Sequence, residues 1–231
     1  MGSPRHLSEK EGFFVDGIVK WGRKNKRGFV WREKNDDFFV VFIAEFLLRK
    51  TKSENVDKFL REIFLKKFKT FCDVAREDEG ELKELLRPLG LHNQRANALK
   101  KISSLLCERE VMPTYEEVLE LPQCGRYIAN AVECFFYKKR KPIVDHNIQR
   151  VFNRFFSLPK AIEIHKADYL WDFAEKLLPD RDFLNYNYYL LDFSALVCKP
   201  RKLQCNRCPL AQKCDFRIQK LSLRSEGEPH V

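Results

Sequence analysis

The sequence predicts an all-α protein. Apolar residues recur at intervals of three and four along most of the chain, as at Ile148, Val151, Phe152 and Phe155, which is the period of an amphipathic helix. No segment shows a convincing alternation of apolar and polar residues, the pattern typical of a half-buried strand. The breaks between periodic segments are short, at 87–90, 122–125, 141–142 and 178–180, and rich in Pro and Gly.

Each predicted element rests on this periodicity and on the breaks that bound it. In chain order, we expect helices over 9–23, 36–50, 54–68, 71–76, 81–86, 95–108, 114–121, 126–138, 147–156, 165–177 and 185–197. The helix at 114–121 begins on a capping-box pattern, Thr114 with Glu117. The helix at 147–156 follows Asp145, which has the sequence position of an N-cap.

Composition excludes several classes of protein. The chain has 231 residues, of which 44% are hydrophobic and 33% charged, so it can bury a core and is not disordered. Its longest apolar run, 38–48, contains Glu45 and is shorter than the roughly 18–20 residues that span a bilayer. The first ten residues, MGSPRHLSEK, lack the apolar segment of a signal peptide. We therefore expect an intracellular protein that is neither secreted nor membrane-bound.

The charge balance favours an anionic partner. Lys and Arg number 43 against 33 Asp and Glu, which gives a formal net charge of +10. The basic residues cluster at 20–34 and at 199–213. Nucleic acid is the typical partner of such a surface, although a merely solvated surface has the same composition.

The eight cysteines form two groups. Four of them, scattered through apolar sequence, are expected to be free and to pack as small hydrophobic residues: Cys72, Cys107, Cys124 and Cys134. The others are spaced C-x6-C-x2-C-x5-C and indicate a metal site: Cys198, Cys205, Cys208 and Cys214. Zinc sites usually contain two short pairs separated by a longer insert. The single loop seen here instead favours a [4Fe–4S] cluster.

A tight helix–turn–helix is predicted around residues 114–138. Pro122 and Gly125 break the chain, and a second helix begins at once. Such a turn can direct backbone amides and the positive end of the second helix at a phosphate. An ordinary αα-hairpin would have the same sequence.

Two carboxylates are candidates for catalysis. Asp145 lies at a helix N-terminus, where it can face a developing cation or act only as a cap. Glu45 lies within an apolar run, where a carboxylate must be paired, protonated or placed on a thin polar stripe. Asp37, Arg49 and Lys50 can share its helix face, so a structural role for Glu45 stays open.

Taken together, these motifs resemble those of the helix-hairpin-helix DNA glycosylases with an iron–sulfur cluster, the endonuclease III superfamily. LPQCGRYIANA at 121–131 is similar to the family's LPGVGR-x-TA-x-A hairpin, and VDHNIQRV at 144–151 is similar to the segment that carries its catalytic Asp. The closing cysteine loop matches as well. The resemblance implies two helical lobes with a DNA-binding cleft between them: a six-helix lobe at 29–139 that contains the hairpin (about 114–138), and a lobe formed by 1–28 and 140–231 with the cluster loop at 198–214.

Single positions indicate the branch of this superfamily. Endonuclease III has a lysine nucleophile two residues after the hairpin glycine, where this chain has Tyr127. The resemblance therefore implies a monofunctional glycosylase without strong AP-lyase activity. GLHNQRA at 90–96 and LLRKT at 47–51 are similar to mismatch-specific thymine/uracil glycosylases, whereas adenine glycosylases have a Tyr-Tyr pair and LQQT there. DFSA at 192–195 also matches the thymine branch. Because the sequence ends soon after Cys214, we expect it to lack the C-terminal domain of adenine glycosylases. A MutY-type adenine glycosylase is the alternative, and a non-catalytic nucleic-acid-binding module with a metal centre is the second.

The resemblance also implies a set of site residues. Asp145, Glu45 and Tyr127 are expected to be catalytic. We expect double-stranded DNA with a mismatched base as the partner of a monomeric, cytoplasmic, nucleoid-associated enzyme. The expected DNA contacts are Arg49, Lys50, Asn93, Gln94, Gln123, Gly125, Arg126, Asn147, Tyr186, Asn187, Tyr188, Lys199, Arg201 and Lys202. Among these, the residues at 186–188 are expected to wedge into the base stack. In this set, Gln123 replaces the first hairpin glycine, at a cost of about 1 kcal/mol if the position has a positive φ.

Overall fold

The computed structural model describes residues 6–201 and 203–225, and these residues contain helices and no strand. The expected all-α class is therefore confirmed. The helices are α1 Glu9–Asn25, α2 Val30–Glu33, α3 Phe38–Leu48, α4 Ser53–Phe59, α5 Leu65–Lys67, α6 Phe71–Arg76, α7 Glu79–Leu86, α8 His92–Leu106, α9 Tyr115–Glu120, α10 Arg126–Ala131, α11 His146–Phe156, α12 Asp168–Leu177, α13 Phe183–Leu196 and α14 Asp215–Ser225. In this part of the chain, no helix is both long and apolar enough to cross a membrane.

Side chains at the helix N-termini explain why several helices begin where they do. Capping boxes join Ser8 to Glu11 at α1 and Thr114 to Glu117 at α9. Asp145 caps α11 by accepting hydrogen bonds from two backbone amides. Each cap satisfies amides that the first helical turn leaves without an intrahelical partner. These are interactions between residues two or three apart, which is why the sequence patterns predict them.

Residue contacts divide the chain into two units. Unit 1 consists of the described parts of 1–27 and 140–231, and unit 2 consists of 28–139. In unit 1, Phe14 of α1 packs against Phe152, Phe155 and Phe156 of the α11 segment, with ring centroids 5.0–5.9 Å apart. Helix α1 also approaches α13 so closely that a Cβ on Gly22 would lie 2.0 Å from the Tyr189 ring. Only glycine fits at that position.

The core of unit 2 is built around α3. All its residues except Leu48 are buried, and Phe38, Phe39 and Phe42 contact the Phe71 ring of α6 at 4.9–5.8 Å between centroids. A helix that is apolar all round must be enclosed by others. This enclosure makes the position of Glu45 on α3 unusual.

Helix ends differ from the expected ones where the backbone departs from α-helical geometry. The expected helix at 54–68 contains a π-helical turn at Leu60–Phe64, and the one at 126–138 continues as a π-helical turn at Val132–Phe136. A single π turn adds one residue to the register, which apolar periodicity over a short window does not reveal.

Two of the helices among the described residues were not predicted. Helix α2 is only four residues long. In helix α14, the apolar residues Ile218 and Leu221 are exposed, so they do not mark a buried face.

The expectation that Cys72 and Cys107 are free is wrong. They form a disulfide that joins α6 to the residue following α8, 35 positions along the chain. Cys124 is half-buried and Cys134 is buried. The intracellular character expected from the sequence argued against disulfides, and no pattern identifies which two of eight cysteines approach each other in the folded chain.

Candidate active site and nucleic-acid interface

Glu45 is held by a tyrosine of the hairpin helix. Its side chain is 1% exposed, and its Oε2 accepts a hydrogen bond of 2.9 Å from the hydroxyl of Tyr127, the second residue of α10. The bond offsets part of the cost of placing a carboxylate within an apolar helix. It also joins two expected catalytic residues, 82 positions apart, and so links α3 to the hairpin.

The helix–turn–helix has the expected form. Helix α9 ends at Glu120, the turn closes with a 3.0 Å bond from the Cys124 amide to the Leu121 carbonyl, and α10 begins at Arg126. Gln123 lies in the turn with φ +61°, the left-handed conformation that a glycine adopts without strain. Gly125 precedes α10, and both Gln123 and Gly125 are exposed. The turn is therefore accessible from solvent.

Three of the expected DNA contacts meet at this turn. The Arg49 guanidinium donates both to the backbone carbonyl of Gln123 and, at 2.6 Å, to its side-chain Oε1. The Gln123 amide nitrogen donates to the carbonyl of Gln94 at 2.9 Å. Lys50 and Asn93 are exposed beside these residues in sequence. Unit 2 thus gathers side chains from α8, the hairpin and the segment after α3.

Sequence analysis missed Arg95, which organises the same region. It is 1% exposed and donates to the carbonyls of Leu47, Leu89 and Arg49, and to the Thr51 hydroxyl. Burial is the main cause that lowers the pKa of its guanidinium. The sequence signal that could have identified Arg95 is its position on the buried face of α8, together with Leu99 and Ile102. A charged residue on such a face is unusual, as Glu45 is on α3.

In unit 1, Asp145 is the N-cap of α11 and both of its oxygens accept hydrogen bonds. Oδ1 accepts from the amides of Asn147 and Ile148 at 2.9 and 2.7 Å, and Oδ2 accepts from the side chain of Asn147 at 2.8 Å. Asn147 in turn accepts a 2.8 Å bond from Arg150. These bonds hold the carboxylate in one orientation at the positive end of an eleven-residue helix.

Arg150 extends this chain of hydrogen bonds to the cysteine loop. It donates to the carbonyls of Cys198 at 2.9 Å and Ser194 at 2.8 Å. Burial is the largest influence on the pKa of the Arg150 guanidinium, and it lowers that pKa. One side chain therefore joins the partner of Asp145 to the first residue of the loop, a link that sequence analysis did not predict.

The three residues expected to wedge into the base stack are buried: Tyr186, Asn187 and Tyr188. They are 2%, 2% and 1% exposed, and burial raises the pKa of Tyr186. A ring must be exposed to enter a base stack, so the burial of these tyrosines contradicts the expectation that they wedge into the stack. Asn187 instead accepts from the Ile143 amide at 3.3 Å and donates to the Lys141 carbonyl at 3.0 Å. It holds the segment that leads to Asp145.

The four clustered cysteines lie in one half-buried loop. Burial is the largest of the causes that raise the pKa of Cys208 to about 12, and the other three sulfurs act in the same direction, as neighbouring thiolates do. Arg154 of α11 supports the loop, because its guanidinium lies 3.5 Å from Cys198 Sγ and donates to the Lys199 carbonyl at 2.7 Å. In the described residues, no three His, Cys, Asp or Glu side chains converge closely enough for a metal ion. Four thiols within one short loop are nevertheless the donor set that iron–sulfur clusters use.

The remaining expected contacts are dispersed. Arg201 is exposed in the cysteine loop, Lys199 is half-buried there, and Arg126 is half-buried at the start of α10. Lys202 lies outside the described residues. Asn147 is exposed but uses its side chain within the protein.

Comparison with known proteins identifies the family. Residues 43–176 match the model of the HhH-GPD superfamily base excision DNA repair proteins, and the chain belongs to this superfamily. It is 34% identical over 214 residues to a thymine/uracil-DNA glycosylase of Methanothermobacter thermautotrophicus, covering 90% of this chain and 95% of the relative. A thymine/uracil-DNA glycosylase of Pyrobaculum aerophilum is 33% identical, with 90% and 92% covered.

A solved structure agrees with these relatives. The structure of a thermostable thymine-DNA glycosylase superposes with a TM-score of 0.82 at 32% identity, covering 91% of this chain and 98% of that one. An adenine DNA glycosylase of Buchnera aphidicola is 26% identical, and the match covers 87% of this chain but only 58% of that relative. The expected superfamily is therefore confirmed, and the chain is a base excision repair glycosylase.

Proposed function

We propose that this protein is a monofunctional DNA glycosylase that hydrolyses the N-glycosidic bond of thymine or uracil mispaired with guanine. The observation that carries the proposal is the hydrogen bond between Tyr127 and the buried Glu45. Tyr127 stands at the position where, by the resemblance, endonuclease III has its lysine nucleophile, and its hydroxyl is bonded to a carboxylate. A lyase needs an amine at that position. The similarity to thymine and thymine/uracil glycosylases supports the choice of base.

Asp145 stabilises the sugar as the bond breaks. The bond between C1′ and the pyrimidine N1 lengthens, its electron pair moves to the base, and positive charge develops on the sugar. A carboxylate about 4 Å from that charge contributes about 4 kcal/mol at an effective dielectric near 20, or about three powers of ten in rate. The oxygens of Asp145 are already oriented by Asn147 and by the start of α11. Water then adds to C1′, and the one proton that it releases goes either to the departing base or to Glu45, where it replaces a proton that Glu45 has donated to the base.

Glu45 and Tyr127 act on the other product of this cleavage. The departing pyrimidine carries negative charge, which a hydrogen bond or a proton from Glu45 neutralises. Tyr127 holds the carboxyl in place and lines the sugar pocket. The extruded base reaches these groups because a weakened G·T or G·U pair costs least to open.

Two surfaces hold the duplex in this proposal. The exposed hairpin turn, with the Gly125 amide before α10, binds a phosphate of the lesion strand. Arg49, Lys50, Asn93 and Gln94 contact the unpaired guanine, whose O6 and N7 accept a bidentate bond from arginine. Lys199, Arg201 and Lys202 add phosphate contacts from the cysteine loop, and a monomer is sufficient for all of these contacts.

We further propose that Cys198, Cys205, Cys208 and Cys214 hold a [4Fe–4S] cluster. When bound, the cluster cross-links the loop and supplies no redox step to a hydrolysis. Metal analysis tests this assignment: iron and acid-labile sulfide in equal amounts support it, and zinc in their place contradicts it.

The test of function is single-turnover strand scission on end-labelled duplexes that contain G·T, G·U, or adenine opposite 8-oxoguanine. We expect cleavage of G·T and G·U only after alkali treatment, since the protein leaves an intact abasic site. Cleavage of adenine alone would move the protein to the adenine branch. Scission without alkali would contradict the monofunctional assignment, and no scission on any duplex would favour a binding module.

A matched pair of variants tests the role of Asp145. Asp145→Asn should abolish turnover while the variant still binds a mismatched duplex. Asp78→Asn is the control, because Asp78 caps α7 through the same pair of amide bonds. Asparagine is also a good N-cap, so both variants fold and only the first should lose activity.

A further inference from the structure

Gln123 occupies a backbone conformation that does not suit it. Its φ is +61°, a value that costs free energy to any residue with a Cβ. Glycine is the residue that avoids the cost. The side chain of Gln123, however, makes interactions that glycine cannot make.

The Gln123 side chain forms bonds in two directions at once. Its Oε1 accepts from Arg49 at 2.6 Å, and its Nε2 donates to the Gln94 carbonyl at 2.9 Å. The amide can satisfy both partners in one orientation only, because the reversed amide would set two donors against each other and two acceptors against each other. The side chain thus ties the segment after α3 to the first turn of α8.

Hydrogen bonds hold both the side chain and the backbone of Arg49. Its guanidinium lies 5.0 Å from the centroid of the Phe46 ring and donates through both terminal nitrogens to Gln123. Its backbone carbonyl accepts a 2.6 Å bond from Arg95. Two of the five guanidinium N–H groups are used by Gln123, which leaves three for a ligand.

We propose that Gln123 is a positioning residue for recognition of the base opposite the excised pyrimidine. It acts through Arg49, which it holds ready for the O6 and N7 of guanine. A side chain ordered before binding avoids the entropy cost of ordering it in the complex. This inference rests on the proposed function and adds to it the source of opposite-base selectivity.

The measurement is the ratio of single-turnover rates for uracil opposite guanine and uracil opposite adenine. In Gln123→Met, the new side chain has a similar length and keeps the Cβ. The variant therefore retains the free-energy cost of the positive φ and loses only the two hydrogen bonds of the side-chain amide. We expect the ratio to fall about tenfold, the factor that corresponds to about 1.4 kcal/mol. Gln123→Glu keeps an acceptor for Arg49 and should restore most of the ratio. A general loss of folded protein lowers both rates and leaves the ratio unchanged.

Two further variants make the test specific. Arg49→Met should lower the ratio, and adding Gln123→Met to it should lower the ratio no further, because the two residues act as one unit. Lys138→Met is the control: Lys138 also has a positive φ, of 55°, and its side chain bonds the Asn35 and Phe135 carbonyls. The proposal is overturned if Gln123→Met keeps the wild-type ratio, or if the control lowers the ratio equally.

Failure of the proposed function gives a different result. A wild-type protein that cleaves neither G·U nor G·T contradicts the function itself. In that case, binding to duplexes with a non-hydrolysable uridine analogue opposite guanine or adenine supplies the same ratio. Gln123→Met should lower that ratio, and an unchanged ratio overturns the proposal.

Discussion

Replacing Arg150 with methionine should separate the catalytic aspartate from the cysteine loop. Arg150 makes three hydrogen bonds of 2.8–2.9 Å, to Asn147, Ser194 and Cys198. Bonds from a charged donor contribute about 1.5–3 kcal/mol each when buried, and at a half-buried site the lower values apply. The bonds to Ser194 and Cys198 are part-buried, whereas the bond to Asn147 is exposed and contributes little to stability. Two bonds at about 1.5 kcal/mol each give an expected loss of about 3 kcal/mol of unfolding free energy. Asn147 also loses the bond that orients it, so the bond from Asn147 to Asp145 loosens and the rate falls by about tenfold, or about 1.4 kcal/mol.

The assays are urea unfolding and single-turnover cleavage of a G·U duplex, with rates normalised to folded protein that retains its metal. Arg154→Met is the matched control, because Arg154 lies one turn further along α11 and bonds the loop at Lys199 without contacting Asn147. Both variants should lose stability, and only the first should lose normalised rate. A normalised rate for Arg150→Met equal to that of the wild type, or to that of the control, would refute this reasoning.

Three other measurements follow from the structure. Reduction of the Cys72–Cys107 disulfide, or replacement of both cysteines by serine, should lower the free energy of unfolding by about 3–4 kcal/mol. This is the value that loop entropy gives for a closed loop of about 35 residues. Titration of the thiols before and after reduction checks that the bond exists. Burial alone would raise the pKa of Glu11, but hydrogen bonds from Lys176 and Ser8 lower it. The contribution of Glu11 to the free energy of unfolding is therefore present above the ordinary glutamate pKa and is lost as pH falls through the lowered pKa. In urea unfolding, Glu11→Gln should be less stable than the wild type at pH 7 and equally stable in acid, and a pH-independent difference would exclude this ion pair as the cause. Asn187→Ala should lower the cleavage rate more than the affinity for mismatched DNA, because it frees the segment before Asp145; an unchanged rate would show that this segment needs no support.

Much of the fold is determined by interactions between residues close in sequence. Apolar periodicity placed the long helices, and caps such as Thr114 with Glu117 and Asp145 with the α11 amides depend on residues two or three apart. The spacing of the last four cysteines and the hairpin turn are local as well. For this reason the sequence alone predicted the fold class, the superfamily and the residues most worth testing.

The roles of individual side chains depended on packing between distant segments. Tyr127 meets Glu45 across 82 positions, Arg150 meets Cys198 across 48, and Cys72 meets Cys107 across 35. The aromatic pattern at 186–188 is equally compatible with an exposed wedge and with a core, and only the buried position of α13 decides between them. The sequence determined which residues form helices and turns, because those choices follow from short-range bonds and periodicity. The tertiary structure decided which side chains meet, because a contact between distant residues depends on how the whole chain packs.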